Sequence, residues 1–205
     1  KMLDEAGWPE CQISVSNSLD ERLIQNLFLQ GAQIDMFGVG ERMITAKSEP
    51  VFGGVYKLTA VENDKGEIIP KIKCSENVEK ITIPHFKKVY RLYNRDNDKA
   101  IADYMTVHDE VVDENEPLML FDPYATWKTK NVCNFEAREL LVPVFLNGKK
   151  VYQSPTLKDI QAYCKQQVNT LWDEIKRFDN PQTYYVDLSQ KLWDIQQELL
   201  RKNRN

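Results

Sequence analysis

Histidine, glycine and paired cysteines are scarce in this sequence. Only two histidines, His85 and His108, and eight glycines occur in 205 residues. The four cysteines, Cys11, Cys74, Cys133 and Cys164, are never within 30 residues of one another. There is therefore no Cys-x-x-Cys pair and no zinc-ligand spacing, and no metal site is expected. No His-Glu-x-x-His, Gly-x-Ser-x-Gly or Walker A segment occurs, which removes the metalloproteases, hydrolases and P-loop nucleotidases that carry them. No apolar run approaches the ~20 residues of a membrane span, and no signal-peptide pattern opens the chain. An excess of positive charge is missing too. Against 27 Lys+Arg stand 31 Asp+Glu, a formal net charge of −4, the wrong sign for a dedicated nucleic-acid binder. Neither a nucleic acid nor a membrane is expected as partner. Without a secretory pattern, the spaced cysteines read as reduced, mostly buried thiols of a cytoplasmic protein.

What is present suffices for a folded core, with 42% hydrophobic and 10% aromatic residues. The chain opens at Lys1, without Met, inside a stretch that reads as a helix from Lys1 to Glu5; this predicts a piece of a longer protein. Gln12 to Ser16 is a short strand-like run. Ser18-Leu19-Asp20-Glu21 has the form of a capping box, with Ser18 as cap. Leu19, Leu23, Ile24, Leu27 and Phe28 then recur at helical spacing, Gly31 suits the residue after the helix, and Ile34 to Phe37 resumes a strand. Strand, helix, strand with short connections is a βαβ unit with parallel strands.

From residue 51 the pattern changes. Val55 to Glu62 and Glu67 to Cys74 flank the turn Asn63 to Gly66. Lys88 to Tyr93 and Lys99 to Val107 flank Asn94 to Asp98, and Leu140 to Leu146 and Lys149 to Tyr152 flank Asn147-Gly148. An antiparallel β region over 51–153 follows. Between these hairpins Asp109 to Pro117 holds five acidic residues in nine, read as a solvated connection. After Ser154-Pro155, one apolar stripe runs from Leu157 to Phe178. A second helix starts in capping-box style at Asp187 to Gln190, with Trp172 and Trp193 packing where these helices meet the rest. The predicted organisation is 1–50 α/β, 51–153 β-rich and 154–205 helical.

Two segments carry candidate chemistry. Ser16-Asn17-Ser18 ends the first strand before a helix, and Gly38-Val39-Gly40 ends the second. Neighbouring parallel strands open on one face, so the two segments would lie side by side. Backbone N–H groups of a glycine turn and a helix start bind anions, and a glycine lets a phosphate approach the main chain. Each segment alone also fits an ordinary cap or turn. Arg42 and Lys47 could add positive charge or simply be solvated. Lys57 could hold an anion or extend to water.

Several segments together resemble one family. They are Ile13 to Glu21, Gln30-Gly31-Ala32 through Phe37-Gly38-Val39-Gly40, and Phe52-Gly53-Gly54-Val55-Tyr56-Lys57-Leu58. Pro70 to Lys73, Ser75 to Lys80, Arg138 to Val144 and Tyr184 to Ser189 extend the match along the chain. In these the sequence resembles the nicotinate phosphoribosyltransferases. The resemblance implies a type II phosphoribosyltransferase fold: part of an α/β barrel, then an antiparallel β region of a second domain, then C-terminal helices. It implies transfer of phosphoribosyl from phosphoribosyl pyrophosphate (PRPP) to nicotinate, giving nicotinate mononucleotide and pyrophosphate in NAD salvage. ATP and Mg²⁺ are implied through a transiently phosphorylated histidine, which is expected upstream of Lys1; His85 and His108 do not match it. It further implies a homodimer. The phosphate loop corresponds to Gly38, Val39 and Gly40, with Ser16 and Asn17 lining the same pocket and Lys57 as a further candidate. Glu41 stands where many relatives carry Thr. No catalytic residue is expected within this chain, which alone should be inactive. Two other readings stay open: a type II enzyme acting on nicotinamide or quinolinate, and a non-catalytic, dimer-forming module.

Overall fold

The computed structural model describes residues 2–203. The chain is α/β and divides into two compact units, Lys1–Val55 and Tyr56–Asn205. In the first unit, a short helix α1 (Met2–Glu5) precedes strand β1 (Ser14–Ser16), helix α2 (Glu21–Leu29), strand β2 (Met36–Gly38) and a single-turn helix α3 (Glu41–Ile44). Lys1, the start of the helix expected over Lys1 to Glu5, lies outside the described residues, as do residues 204–205 of the expected helical region. β1 and β2 pair in parallel, with Ser16 opposite Gly38, which is the βαβ order the periodicity predicts. The capping detail differs. Asp20, not Ser18, is the N-cap of α2, its carboxylate accepting the Leu23 amide, while Ser18 takes a left-handed φ of 50°. The chain turns back over Asn17 and Ser18 before the helix starts, so the cap falls two residues later. Leu19, 3% exposed, is the one buried apolar side chain of this unit among the described residues. Phe28 meets Phe37 edge-on at 5.5 Å between ring centres, yet Leu23, Phe28 and Leu29 remain largely in the open. A two-stranded sheet with one helix has too little surface to cover its own apolar face.

The second unit begins with the hairpin of β3 (Ala60–Glu62) and β4 (Ile68–Pro70). The long strands β5 (Lys87–Asn94) and β6 (Ala100–Val107) follow, then β7 (Leu118–Phe121), β8 (Thr129–Val132) and β9 (Phe135–Glu139). The two-residue strands β10 (Phe145–Leu146) and β11 (Lys149–Lys150) close the Asn147-Gly148 hairpin, after which come helix α4 (Leu157–Thr170), strand β12 (Val186–Leu188) and helix α5 (Gln190–Lys202). The principal sheet has the order β12-β6-β5-β9. All its pairs are antiparallel except β12 with β6. One face buries Tyr90, Leu92, Ala102, Tyr104, Leu120, Val132 and Phe135; these alternate along β5 and β6 as a half-buried sheet requires. A second cluster joins Val107 and Leu188 to Leu192 of α5.

Several expectations need correction here. Asp187-Leu188 is strand rather than helix start, and Ser189 is the N-cap of α5. The stripe from Leu157 to Phe178 is interrupted: α4 ends at Thr170 and Leu171 is extended. Nor is that stripe buried, for α4 has no buried residue. It is held by polar contacts instead. Gln167 accepts from Tyr93 Oη (2.9 Å) and Arg138 Nη2 (2.8 Å), and Lys99 Nζ caps the carbonyls of Asn169 and Leu171. The acidic loop is not merely solvated. Glu110 accepts from the Val107 amide (2.6 Å) and Ser189 Oγ (2.7 Å), and Glu114 accepts from the Ala137 amide (2.8 Å). All four cysteines are free and exposed, not buried. Trp193 does pack as expected, edge-on against Phe121 with its indole N–H on the Pro123 carbonyl.

Asp187 is the exception among these carboxylates. It is 5% exposed, and burial, reinforced by the negative charge of Asp122 and opposed by Lys130, raises its pKa to about 6. A carboxyl that binds its proton more tightly when folded contributes stability at low pH and loses it as pH rises through the folded value. Asp187→Asn should therefore be the more stable protein at pH 7.5 by about 1–3 kcal/mol, the gap closing below about pH 4. Urea unfolding at a series of pH values checks this; a variant less stable at neutral pH would refute it.

Candidate functional site

The first unit brings most of the expected site residues together. Because β1 and β2 are parallel and in register at Ser16 and Gly38, both strand-end loops leave the same edge of the pair. Ser16 Oγ donates to the Gly38 carbonyl at 3.3 Å. A Cβ built on Gly38 would stand 3.0 Å from Ser16 Oγ and 3.2 Å from Ser16 Cβ. A side chain at 38 would crowd that of Ser16, which would have to give way by a few tenths of an ångström. Asn17 takes a left-handed φ of 101°, so the loop folds back immediately after Ser16. At Gly40 the surroundings are open, with nothing within 4 Å of an added Cβ.

Gly40 is the N-cap of α3 and offers no side chain for capping. The amides of Gly40, Glu41 and Arg42 donate to no other residue among the described ones, leaving a short run of backbone donors at the end of the glycine turn. The helix start at α2 is different. Its Leu23 amide already donates to Asp20 Oδ1 at 2.8 Å, so a carboxylate of the chain occupies the place where an external anion would sit. Val39 is half-buried, and Glu41 is exposed in the first turn of α3.

An ion pair that the residue pattern did not reveal joins the loops. Arg42, two residues past Gly40, pairs with the Asp20 carboxylate. That carboxyl is held below its ordinary range, first by the Leu23 amide and also by Arg42. Arg42 is thus committed to the protein, and the positive charge it was a candidate to supply is largely neutralised. Twenty-two residues separate the partners, so only the parallel pairing of β1 and β2 could have pointed to this contact. Lys57 belongs to the second unit, where its ammonium donates to the Lys80 carbonyl at 2.8 Å. His85 and His108 also lie there, stacked at 5.8 Å. Next to them Lys87 Nζ donates to the carbonyls of Ile83 (2.9 Å), Pro84 (3.3 Å) and His85 (2.7 Å), and burial pushes it down to about 8. That lysine pins the turn in which His85 adopts a φ of 80°.

Residues 86–196 match the family model described as nicotinate phosphoribosyltransferase C-terminal domain. The chain belongs to this family. Among its relatives, the nicotinate phosphoribosyltransferase of Bacillus subtilis (strain 168) is 45% identical over 193 residues, covering 94% of this chain and 39% of the relative. That of Caenorhabditis elegans is 33% identical, covering 93% and 33%. The crystal structure of human nicotinic acid phosphoribosyltransferase superposes on 97% of this chain and 36% of its own, with a TM-score of 0.68 at 23% identity. This chain therefore spans between a third and two-fifths of the length of these relatives. The family match covers Phe86 to Gln196 of the second unit, while the alignment with the B. subtilis relative, at 94% of the chain, takes in most of the first unit as well.

The Asp20 contacts can be separated by substitution. Asp20→Asn can still accept the Leu23 amide but offers no charge to Arg42; Asp20→Ala offers neither. At neutral pH the melting temperature should fall in the order wild type, Asn, Ala. The wild-type advantage over Asn should vanish as pH falls through the carboxylate range, because a lowered carboxyl pKa stabilises only while the group is ionised. Equal melting of Asn and Ala would show that the cap contributes nothing.

Proposed function

We propose that this chain is the C-terminal part of a nicotinate phosphoribosyltransferase. The observation carrying the reading is the 45% identity to the B. subtilis enzyme along 94% of the chain. In the reaction the pyridine nitrogen lone pair forms the bond to ribose C1 of PRPP. The bond from C1 to the pyrophosphate oxygen breaks, and its electron pair leaves with pyrophosphate. On this reading β1, α2 and β2 are the end of a type II phosphoribosyltransferase barrel, and the uncovered apolar face of α2 is where further strands and helices of that barrel would pack. The free amides following Gly38-Val39-Gly40 cradle the 5′-phosphate of PRPP, with Ser16 and Asn17 beside it. Fixed backbone donors suit this role because they are already oriented before the phosphate arrives. Glu41 directs its carboxylate to solvent and leaves the phosphate contact to its amide. Lys57 is the weaker member of the set, since its ammonium already has the Lys80 carbonyl.

ATP and Mg²⁺ enter through the family alone. Among the described residues no three His, Cys, Asp or Glu side chains are gathered to hold a metal ion, so the residues here do not fit a resident ion. A homodimer is part of the proposal, supported by the exposed apolar residues Leu157, Ile160 and Tyr163 of α4. A cytoplasmic location is supported by four free, exposed thiols. No described helix is long and apolar enough to cross a membrane.

The same α4 surface favours the second reading, a module that only joins subunits. Gly40→Val in the full-length protein distinguishes the two, because an added side chain there meets no neighbouring atom yet would obstruct a bound phosphate. The kcat/KM for PRPP should fall on the order of 100-fold, because the remote phosphate's binding energy is lost from the transition state, with the melting temperature little changed. Gly38→Val should lose both turnover and stability, the latter by about 1–3 kcal/mol. Normal turnover by both variants would remove the phosphate-loop assignment. Competition between nicotinate and nicotinamide in the same assay identifies the preferred pyridine.

A further inference from the structure

A cavity of about 720 Å³ opens in the second unit between β6, β8 and the segment leading into β12, within the size range of small-molecule sites. Its apolar lining includes Leu120, Phe121 and Val132, and its aromatic lining Trp172, Tyr184 and Tyr185. Asp187 also lines it. The residue is 5% exposed; its carboxylate receives no hydrogen bond among the described residues, and Lys130 is the cation that acts on it. A buried charge that accepts no hydrogen bond is costly, and Lys130 offsets that cost only in part, since the carboxyl is still held above its ordinary range. Asp122, which also lines the cavity, accepts the Tyr124 and Ala125 amides and adds negative potential. At the exposed side stand Lys128 and Lys130, two residues apart on or beside β8 and so on one face.

The segment that closes the cavity is fixed. Tyr184 Oη donates to Asp103 Oδ1 at 2.9 Å, the Asp103 amide donates to the Tyr185 carbonyl at 3.0 Å, and the Arg91 guanidinium lies 5.6 Å from the Tyr184 ring centre. A preformed pocket costs a ligand less to enter.

We propose that this cavity binds a planar organic cation carrying an anionic tail, its ring against Asp187 and the aromatic side chains, its tail on Lys128 and Lys130. Aromatic faces attract cations, and a buried carboxylate beside them strengthens the preference. An anionic head would meet Asp187 and Asp122, and a neutral apolar one would leave the charge of Asp187 only partly offset. The tail follows from the two lysines at the mouth. The site lies wholly within the second unit and is read out by binding alone, so it stands or falls separately from the phosphoribosyl-transfer reading.

The test is calorimetric titration of the full-length protein with two probes, N-methylpyridinium and a pyridinium ribonucleoside 5′-monophosphate. Both should bind saturably, the phosphorylated probe tighter, each quenching Trp172 fluorescence in a way lost in Trp172→Phe. Asp187→Asn should weaken both at least tenfold while melting no lower than wild type. Lys128→Ala with Lys130→Ala should weaken the phosphorylated probe far more than N-methylpyridinium. Absence of saturable binding, or binding unchanged by Asp187→Asn, as a nucleotide held at a transfer site would show, overturns the proposal. Equal effects of the lysine changes on both probes overturn the tail assignment.

Discussion

The ion pair of Arg91 with Asp103 is the contact on which the second unit turns. The two residues lie directly opposite across β5 and β6, and the pair is bidentate, at 2.8 and 3.0 Å. Such a fork fixes geometry as well as charge. It holds the register of the longest hairpin, and a slip of one residue would turn every core side chain of β5 outward. Asp103 then does two further things: its carboxylate receives the Tyr184 hydroxyl and its amide reaches the Tyr185 carbonyl. The chain is thereby led back beside β6 as β12, a parallel neighbour eighty residues later in sequence. The guanidinium is held firmly protonated by this carboxylate, and the Tyr184 hydroxyl is pushed well above its usual range by burial and by Asp103. Both groups therefore keep their protons at neutral and moderately alkaline pH.

Local signals were legible wherever a turn or a helix start is written in adjacent residues. Asn147-Gly148 closes its hairpin, Gly31 follows α2, and the order strand, helix, strand at the front is as the periodicity demands. Contacts between distant segments were not legible. β12 has three residues, and Val186-Asp187-Leu188 followed by Ser189 reads equally well as the approach to a helix; only the backbone of β6 makes it a strand. The same holds for β8 and β9, whose short runs are interrupted by Lys, Asn and Glu. At the candidate site, proximity of Ser16 to Gly38 followed from parallel pairing, but the cap did not. Ser18 and Asp20 both suit an N-cap, and the left-handed turn at Asn17 and Ser18 chose the second. Arg42 was ambiguous for the same reason.

Carboxylates in this protein serve chiefly as internal acceptors. Asp20 caps α2, Glu110 ties the end of β6 to the start of α5, and Glu114 reaches the backbone of β9. The acidic loop from Asp109 to Pro117 had read only as a solvated connection. Short connections in a small sheet leave amides without strand partners, and a nearby carboxylate satisfies them where a neutral side chain would do so more weakly. Asp187 departs from that use, since it sits among aromatic groups without an amide to receive.

Helix α4 is bound to its sheet in an unusual proportion of polar to apolar contact. Arg138 stacks over Tyr93 and Tyr163 and donates to Gln167, while Lys99 holds the last carbonyls. Apolar burial weakens on cooling, whereas charge-assisted contacts of this kind do not depend on that source. The sheet core and the helix attachment therefore answer differently to temperature and to ionic strength: cold loosens the first, and salt loosens the second.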